Sequence, residues 1–143
     1  MLLKCKKGNG FTLLELIVVV VIIGLLVSLA VPRFTKTIES AKNKEAITAL
    51  RLLRTAERMY YIDYDVYYPS GGGTESDLDK INQDLNLALE SADWTYSVNA
   101  NNSTPSFTAS ATRSLPARNR TLQITHSSSN ITCTDTSSSG FCP

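Results

Sequence analysis

The sequence has very little of the chemistry that enzymes and metal sites require. His126 is the only histidine, the three cysteines have no metal-ligand spacing with it, and no G-x-S-x-G nucleophile motif occurs. Zinc sites and acid–base catalysis depend on such groups at fixed spacings. Asp63 with Asp65, and Asp77 with Asp79, have the spacing of calcium ligands, but neither pair has the further ligands that a calcium loop needs. We therefore predict no catalytic residues, no cofactor and no metal.

An excess of charge of one sign is also absent. The formal net charge is +1 over 143 residues, so bulk electrostatics gives no reason to expect nucleic acid or an anionic membrane as the main partner. Arg113, Arg118 and Arg120 are expected on one turn, where they could touch DNA, but three arginines on a turn usually form a solvated surface. Nucleic acid is thus a possible partner that no feature of the sequence supports.

One long hydrophobic run is present near the N-terminus. Residues 11–31 are apolar apart from Thr12, Glu15 and Ser28, and as a helix they would cross roughly 30 Å of hydrocarbon. The lysine-rich residues 1–10 contain no acid, which places this end in the cytoplasm by the positive-inside bias. We predict a membrane helix whose one carboxylate, on Glu15, costs about 3 kcal/mol at the bilayer centre and therefore needs a partner or a purpose.

An ordinary secretory signal is the competing interpretation of this run. Such signals also have a basic start and an apolar core, and the small residues Ser28 and Ala30 flank a candidate cleavage point. The mature protein would then begin at Val31. Against this interpretation, the run is longer than a usual signal core, contains Glu15, and continues directly into more helix.

The run continues into an amphipathic helix, predicted over residues 32–62. Apolar residues recur there at spacings of mostly three or four, with charged residues between them, which is a helical periodicity. Pro32, at the junction, removes a helical hydrogen bond, and Gly24 lies two turns earlier. These two residues mark a segment that bends or locally unwinds, or else a passive kink at the membrane surface.

The remaining chain predicts a small α+β domain. Residues 63–92 form a loop, separated from the helix by Pro69 and three glycines, with a short helix capped by Ser76 and carrying Leu78, Ile81, Leu85 and Leu89. Residues 93–143 contain alternating runs typical of antiparallel strands with one buried face. The predicted inward residues are Trp94, Tyr96, Val98, Phe107, Ala109, Ala111, Leu122 and Ile124. The five tyrosines between residues 60 and 68 are expected in the core and at its rim.

The stretch GFTLLEL, residues 10–16, resembles the class III signal of type IV pilins and the related pseudopilins. Gly10 follows a short basic leader, an apolar helix begins, and Glu15 takes the fifth place after the Gly10–Phe11 bond. The resemblance is close over residues 8 to about 60, and it implies the ladle-like pilin fold, a long N-terminal helix packed on a small antiparallel sheet. It also implies that a prepilin peptidase removes residues 1–10, cutting between Gly10 and Phe11, and methylates the new amino group of Phe11.

The resemblance also implies roles for Glu15 and for two cysteines. The new amino group of Phe11 and the Glu15 carboxylate would lie one helical turn apart and could neutralise each other. The pair could form within one chain or, as the resemblance favours, between neighbouring subunits, where it would set the assembly register. Cys133 and Cys142 lie beyond the membrane run, in a compartment that can be oxidising, and a disulfide between them would bound a C-terminal loop like that of pilins.

The implied function is that of a structural subunit. The precursor would be anchored in the bacterial inner membrane and would polymerise into a surface pilus for adhesion, motility or DNA uptake. Expected partners are other copies and other pilins, the prepilin peptidase, an inner-membrane platform protein, an assembly ATPase and a secretin. The alternatives are a pseudopilin of type II secretion and a minor pilin that acts as an adhesin or DNA receptor.

Overall fold

A computed structural model of the chain describes residues 10–115 and 118–135, without the side chains of residues 29–33, 115 and 118. The chain divides into two units, Met1–Ile38 and Glu39–Pro143. One helix, α1 (Leu13–Tyr64), makes up most of the described part of the first unit and continues into the second. The other elements belong to the second unit, and they are β1 (Gly73–Glu75), α2 (Leu78–Asp84), β2 (Thr95–Asn101), β3 (Ser106–Leu115), β4 (Arg118–Thr125) and β5 (Thr132–Asp135).

Within the second unit, helix α1 buries one face. Its apolar residues at helical spacing are at most 8% exposed, as the periodicity predicted; they are Ala46, Ala49, Leu50, Leu53 and Ala56. The helix ends two residues later than expected, because Asp65 adopts a left-handed conformation with φ of 59° and donates its N–H to the Tyr61 carbonyl at 2.9 Å. This arrangement satisfies a carbonyl of the last turn and stops the helix.

The five strands form one antiparallel sheet in the order β1-β2-β3-β4-β5. One row across the sheet joins Val98, Ala109 and Ile124, and the next joins Tyr96, Ala111 and Leu122. All eight predicted inward residues are at most 2% exposed and belong to one core with the buried face of α1. The predicted α+β fold, a long N-terminal helix packed with an antiparallel sheet, is confirmed.

Helix α2 begins differently from the prediction. Asp77, not Ser76, is its N-cap, and its carboxylate accepts the Asp79 N–H at 3.1 Å. The choice of Ser76 was wrong because the Glu75 carboxylate binds the backbone N–H groups of Ser76 and Asp77, at 2.9 and 3.0 Å. Both residues therefore belong to the turn before the helix, and the first position free to cap with its side chain is Asp77.

Leu89 lies outside α2, contrary to the predicted helical series. The helix ends at Asp84, and the Asn82 side chain binds the backbone of Leu89 through both its amide nitrogen and its amide oxygen, at 2.9 and 2.8 Å. These two hydrogen bonds fold the chain back after the helix. Leu89 still packs against the core, but from a loop.

Two edge strands had no signal in the sequence. Strand β1 has three residues that begin with a glycine, and β5 has four residues that are half-buried or exposed. Each pairs with a longer neighbour, β1 with β2 and β5 with β4. Short polar edges of this kind depend on the neighbouring strand and carry little hydrophobic alternation of their own.

Candidate functional site

Gly10 and Phe11, the predicted cleavage site, lie just before α1 begins. Both are exposed, Phe11 at 75%. No atom of the described chain comes within 4 Å of the place where a Cβ on Gly10 would stand, so packing within the described residues does not require glycine there. Glycine leaves the backbone accessible and adaptable, which is what a peptidase needs at its cut. Cleavage and methylation here stay predictions.

Thr12 and Glu15 form the N-terminal cap of α1. The Glu15 backbone N–H donates to the Thr12 hydroxyl oxygen at 3.2 Å, and the Leu16 N–H donates to the Thr12 carbonyl at 3.2 Å. Thr12 is thus the N-cap and Glu15 the third helical residue, the S/T-x-x-E spacing of a capping box. The positive end of the helix dipole also stabilises a carboxylate in this turn. Sequence analysis missed this local role, although the T-L-L-E spacing shows it.

The segment that follows exposes its apolar side chains on all sides. Every large apolar residue from Leu13 to Val27 is 45–83% exposed. A helix that is hydrophobic all round is normally covered by lipid or by other protein. We call residues 13–28 the apolar segment.

Among the described residues, no helix is both long enough and apolar enough to cross a bilayer. The predicted membrane span over residues 11–31 therefore stays a prediction.

The backbone is helical through Gly24 and Pro32, because α1 is continuous from Leu13 to Tyr64. Between them, the Ser28 hydroxyl donates to the Leu25 carbonyl at 2.8 Å, so this polar side chain is satisfied within the helix. Bending or local unwinding at Gly24 and Pro32, or a passive kink at the membrane surface, stays a prediction.

Cys133 is disulfide-bonded. It lies on β5 opposite Leu122 and packs against the core. Cys142 lies outside the described residues, so the pairing of Cys133 with Cys142 stays a prediction.

The predicted solvated turn of arginines is wrong for the two arginines whose side chains are described. Arg113 on β3 and Arg120 on β4 are directly opposite each other in the sheet, and they are 7% and 0% exposed. Both point to the core face, in register with the inward residues Ala111 and Leu122. The sequence places them at the polar end of alternating strands, and that pattern was misread as a turn. The side chain of Arg118 lies outside the description.

Arg113 binds two carboxylates, one on helix α1 and one just before β2. It donates to both oxygens of Glu39, at 3.0 and 3.3 Å, and lies 3.6 Å from Asp93. Lys42 binds the same Asp93 oxygen at 2.8 Å. The hydrogen bond and charge of Lys42, with the charge of Arg113, hold the pKa of Asp93 below its ordinary value.

Arg120 joins the helix to the edge of the sheet. It donates to the Asn43 side-chain oxygen at 2.7 Å, approaches Asp135 at 3.4 Å, and lies 3.6 Å from Glu39. Buried charges persist only with such partners. Helix α1, the three strands β3 to β5 and the segment before β2 are therefore tied together by one group of ion pairs and hydrogen bonds. We call this group the arginine cluster (Glu39, Lys42, Asn43, Asp93, Arg113, Arg120 and Asp135).

Glu57 is a second buried carboxylate that sequence analysis did not single out. One of its oxygens accepts the Tyr68 backbone N–H at 2.9 Å, and the other has no hydrogen-bond partner among the described residues. Burial raises the pKa of Glu57 to about 8. The only indication of its burial in the sequence is its position on the apolar stripe of α1, next to Ala56.

One aspartate of each pair considered for calcium has a structural role. Asp77 caps α2, and Asp65 ends α1. Over residues 10–115 and 118–135, no group of three or more potential ligands could hold a metal ion. The tyrosines lie as expected at the core and its rim, with Tyr68 buried and Tyr60 and Tyr67 packed against the core.

Comparisons with known proteins address the N-terminal motif directly. Residues 5–31 match the family model described as the prokaryotic N-terminal methylation motif. The chain is 42% identical over 73 residues to type II secretion system core protein G of Vibrio cholerae, which is 51% of this chain and 50% of that protein. It is 43% identical over 70 residues to the Escherichia coli protein of the same name, covering 49% of this chain and 48% of that one.

A pilin is also among the relatives. The type IV major pilin protein PilA of Myxococcus xanthus is 43% identical over 61 residues, which is 43% of this chain and 28% of PilA. The chain thus spans about half the length of the secretion proteins it matches, and less of PilA. No solved structure matches. The predicted resemblance is confirmed: this chain carries the N-terminal methylation motif and is related, over about half of its length, to proteins of the pilin and pseudopilin superfamily.

Proposed function

We propose that this chain is the precursor of a structural subunit of a type IV pilus. It would be inserted in the inner membrane, cleaved after Gly10, methylated on Phe11 and polymerised through its apolar segment into a surface filament. One observation supports the proposal most directly. The large apolar side chains from Leu13 to Val27 are 45–83% exposed, and all of them lie within residues 5–31, which match the methylation motif. Because exposed apolar area costs about 25 cal/mol per Å² in water, the apolar segment needs lipid in the precursor and other helices in the filament.

Cleavage would create a charge partner for the Glu15 carboxylate. The cut gives Phe11 a free amino group one helical turn from the Glu15 carboxylate, at the end of α1 that the cap fixes. An unpaired charge in an apolar surrounding is costly, and an ammonium with a carboxylate reduces that cost. In a filament the Glu15 of one subunit would pair with the Phe11 of its neighbour and thereby set the stagger between helices.

The second unit is suited to the outside of such a filament. The arginine cluster holds helix α1 and the sheet together through buried ion pairs. The partners that this function requires are other copies and other pilins, a prepilin peptidase, an inner-membrane platform protein, an assembly ATPase and a secretin.

A co-expression experiment tests the processing step. The full chain produced with a prepilin peptidase should lose residues 1–10 and gain one methyl group on Phe11, as read by mass spectrometry of the membrane fraction. Gly10→Val should leave the precursor uncut, because a branched side chain replaces the accessible glycine backbone, whereas Asn9→Val, one residue away, should be processed. A mature chain that begins at Val31 would contradict the proposal and support an ordinary secretory signal.

A pseudopilin of type II secretion is the second candidate. The two secretion proteins named above favour it, whereas the disulfide predicted between Cys133 and Cys142 would favour a pilin, because the resemblance assigns a disulfide-bounded loop to pilins. Deleting the gene separates them. Loss of surface filaments with normal export of secreted enzymes supports the pilus, and loss of export with intact filaments supports the pseudopilin.

A further inference from the structure

A cavity in the second unit has no part in the assembly described above. It has a volume of about 460 Å³, which is in the range of small-molecule sites, and it lies where the end of α1, the loop that follows and α2 come together. Three tyrosines and three charged residues supply its side-chain chemistry: Tyr60, Tyr64, Tyr68, Glu75, Lys80 and Asp84. We call it the tyrosine cavity.

The three rings form a connected aromatic wall. The ring centroid of Tyr60 is 4.4 Å from that of Tyr64 and 5.7 Å from that of Tyr68, whose ring is turned by 75°. Tyr68 is 5% exposed, whereas Tyr64 is 63% exposed. The wall is therefore anchored in the core at its Tyr68 end, and at the other end the ring of Tyr64 is accessible to a ligand.

The charged groups that line the cavity include a hydrogen-bond donor, Lys80, and two acceptors, the carboxylates of Glu75 and Asp84. Lys80 lies 3.6 Å from the Glu75 carboxylate, which also binds the two backbone N–H groups before α2. Asp84 interacts with the Tyr68 hydroxyl. An ammonium, two carboxylates and tyrosine hydroxyls thus line one space, so hydrogen bonds can be given and received around a bound molecule.

We infer that the tyrosine cavity binds a neutral pyranose sugar, as a free ligand or as the end of a glycan. The C–H face of a pyranose packs on tyrosine rings, and its hydroxyls both donate and accept. A simple cation would meet the Lys80 ammonium, and an anion would meet two carboxylates. A purely apolar ligand would desolvate three charged groups without replacing their hydrogen bonds. The inference goes beyond the proposed function and does not depend on filament assembly.

A second cavity offers space for a further sugar unit. Its volume is about 350 Å³, and it shares Tyr60, Tyr64 and Asp84 with the tyrosine cavity while adding apolar residues such as Met59 and Leu87. The shared residues form a wall between the two spaces. A glycan longer than one residue could therefore lie across Tyr64, its most exposed ring.

Saturation-transfer NMR on the full chain tests this inference. The chain is kept in a polyoxyethylene detergent, which contains neither sugar nor quaternary ammonium, and the probes are methyl glucopyranoside, methyl galactopyranoside and N-acetylglucosamine. We expect at least one of them to bind with a dissociation constant on the order of 1 mM, as small ligands with few atoms do. Tyr64→Ala and Asp84→Asn should each weaken that binding about tenfold.

Tyr61→Ala is the matched control. Tyr61 stacks on Tyr67 at 4.6 Å but does not line the cavity, so its removal should leave sugar binding unchanged. Emission from the buried Trp94 shows whether each variant is folded. Three results would each overturn the inference: no binding of any of the three sugars, equal binding by wild type and Tyr64→Ala, or binding of tetramethylammonium in place of the sugars.

Discussion

At the scale of single residues, Glu57 links the pH to the stability of the second unit. Its carboxyl group is fully buried, one of its oxygens has no hydrogen-bond partner in the described part of the chain, and burial raises its pKa from 4.5 to about 8. Between these two pH values the unfolded chain has lost the proton and the folded chain keeps it. Stability is therefore highest below pH 4.5 with respect to this group, falls as the pH rises towards 8, and changes no further above that.

Replacing Glu57 with Gln should remove this pH dependence. The amide keeps the size of the side chain and an oxygen for the Tyr68 N–H, and it does not ionise. We expect Glu57→Gln to be more stable than wild type by a few kcal/mol at pH 8 and about equally stable at pH 4, since a shift of one pKa unit corresponds to about 1.4 kcal/mol. Urea unfolding followed by emission of the single tryptophan, Trp94, measures this.

Glu45→Gln serves as the control, because Glu45 lies on the exposed side of the same helix. Its unfolding curve should keep the pH dependence of wild type. A Glu57→Gln variant whose stability still falls between pH 5 and pH 8 would show that another group is responsible.

The cap at the start of α1 allows the two roles of Glu15 to be separated. Thr12→Ala removes the hydroxyl that accepts the Glu15 N–H, at a cost of about 1 kcal/mol of helix stability, but keeps the carboxylate. Glu15→Gln keeps the side chain that a capping box uses but removes the charge. If charge pairing drives assembly, Thr12→Ala should still form filaments and Glu15→Gln should form few, with both inserted in the membrane at the wild-type level.

Counting filaments by electron microscopy, with immunoblots of membrane fractions for insertion, distinguishes these outcomes. Normal filaments from Glu15→Gln, together with their loss in Thr12→Ala, would assign Glu15 a local structural role and would contradict the register account.

At the scale of secondary-structure elements, the arginine cluster holds the sheet against the helix. Arg120→Ala removes the cation that Asn43, Asp135 and Glu39 share. Breaking a buried ion pair from one side costs about 3–5 kcal/mol, and we expect a loss of that size in urea unfolding. Arg51→Ala, on the exposed face of α1, should change stability by less than about 0.5 kcal/mol. Equal effects from the two variants would mean that the cluster contributes nothing.

The central strand β3 contributes small residues to the core that it shares with α1. Ala109 and Ala111 are fully buried between larger partners on β2 and β4. Ala111→Leu should therefore destabilise the fold by about 1–3 kcal/mol through overpacking. Ser110→Leu places the same side chain one residue away on the opposite face of the sheet and should cost less than about 1 kcal/mol. Circular dichroism of thermal unfolding gives the comparison, and a larger loss in Ser110→Leu would reverse the assigned faces.

The elements that the sequence predicts are those whose signal is periodic. The stripe from Ala46 to Ala56 and the alternation of Trp94, Tyr96 and Val98 identify the helix face and a strand because burial repeats with the geometry of each element. The burial of Arg113 and Arg120 could not be predicted from this pattern, because it depends on carboxylates that are distant in sequence. Glu39, for example, is 74 residues from Arg113. Strand β5 was missed for a similar reason, since it pairs through the edge of β4 and has a half-buried cysteine in place of apolar residues.

At the scale of the whole chain, the two units differ in how their apolar surface is covered. The second unit covers its own core, which the buried face of α1 shares with strands β2, β3 and β4. The apolar segment of the first unit leaves its side chains exposed. The N-terminal motif could be identified from sequence because it is local and combines independent requirements: a basic leader, a small Gly10, Glu15 at the fifth place after the cut, and an apolar helix. Pilus and pseudopilus share that motif, so the choice between them rests on the rest of the chain.

The most direct test of the account is the composition of the surface filaments that cells producing this chain release on shearing. Electron microscopy of the sheared fraction, with mass spectrometry of its main protein, measures the filament and the N-terminus together. We predict long filaments built from a chain that begins with N-methyl-Phe11. Absence of this chain from every surface filament, or its presence with residues 1–10 intact, would contradict the central claim.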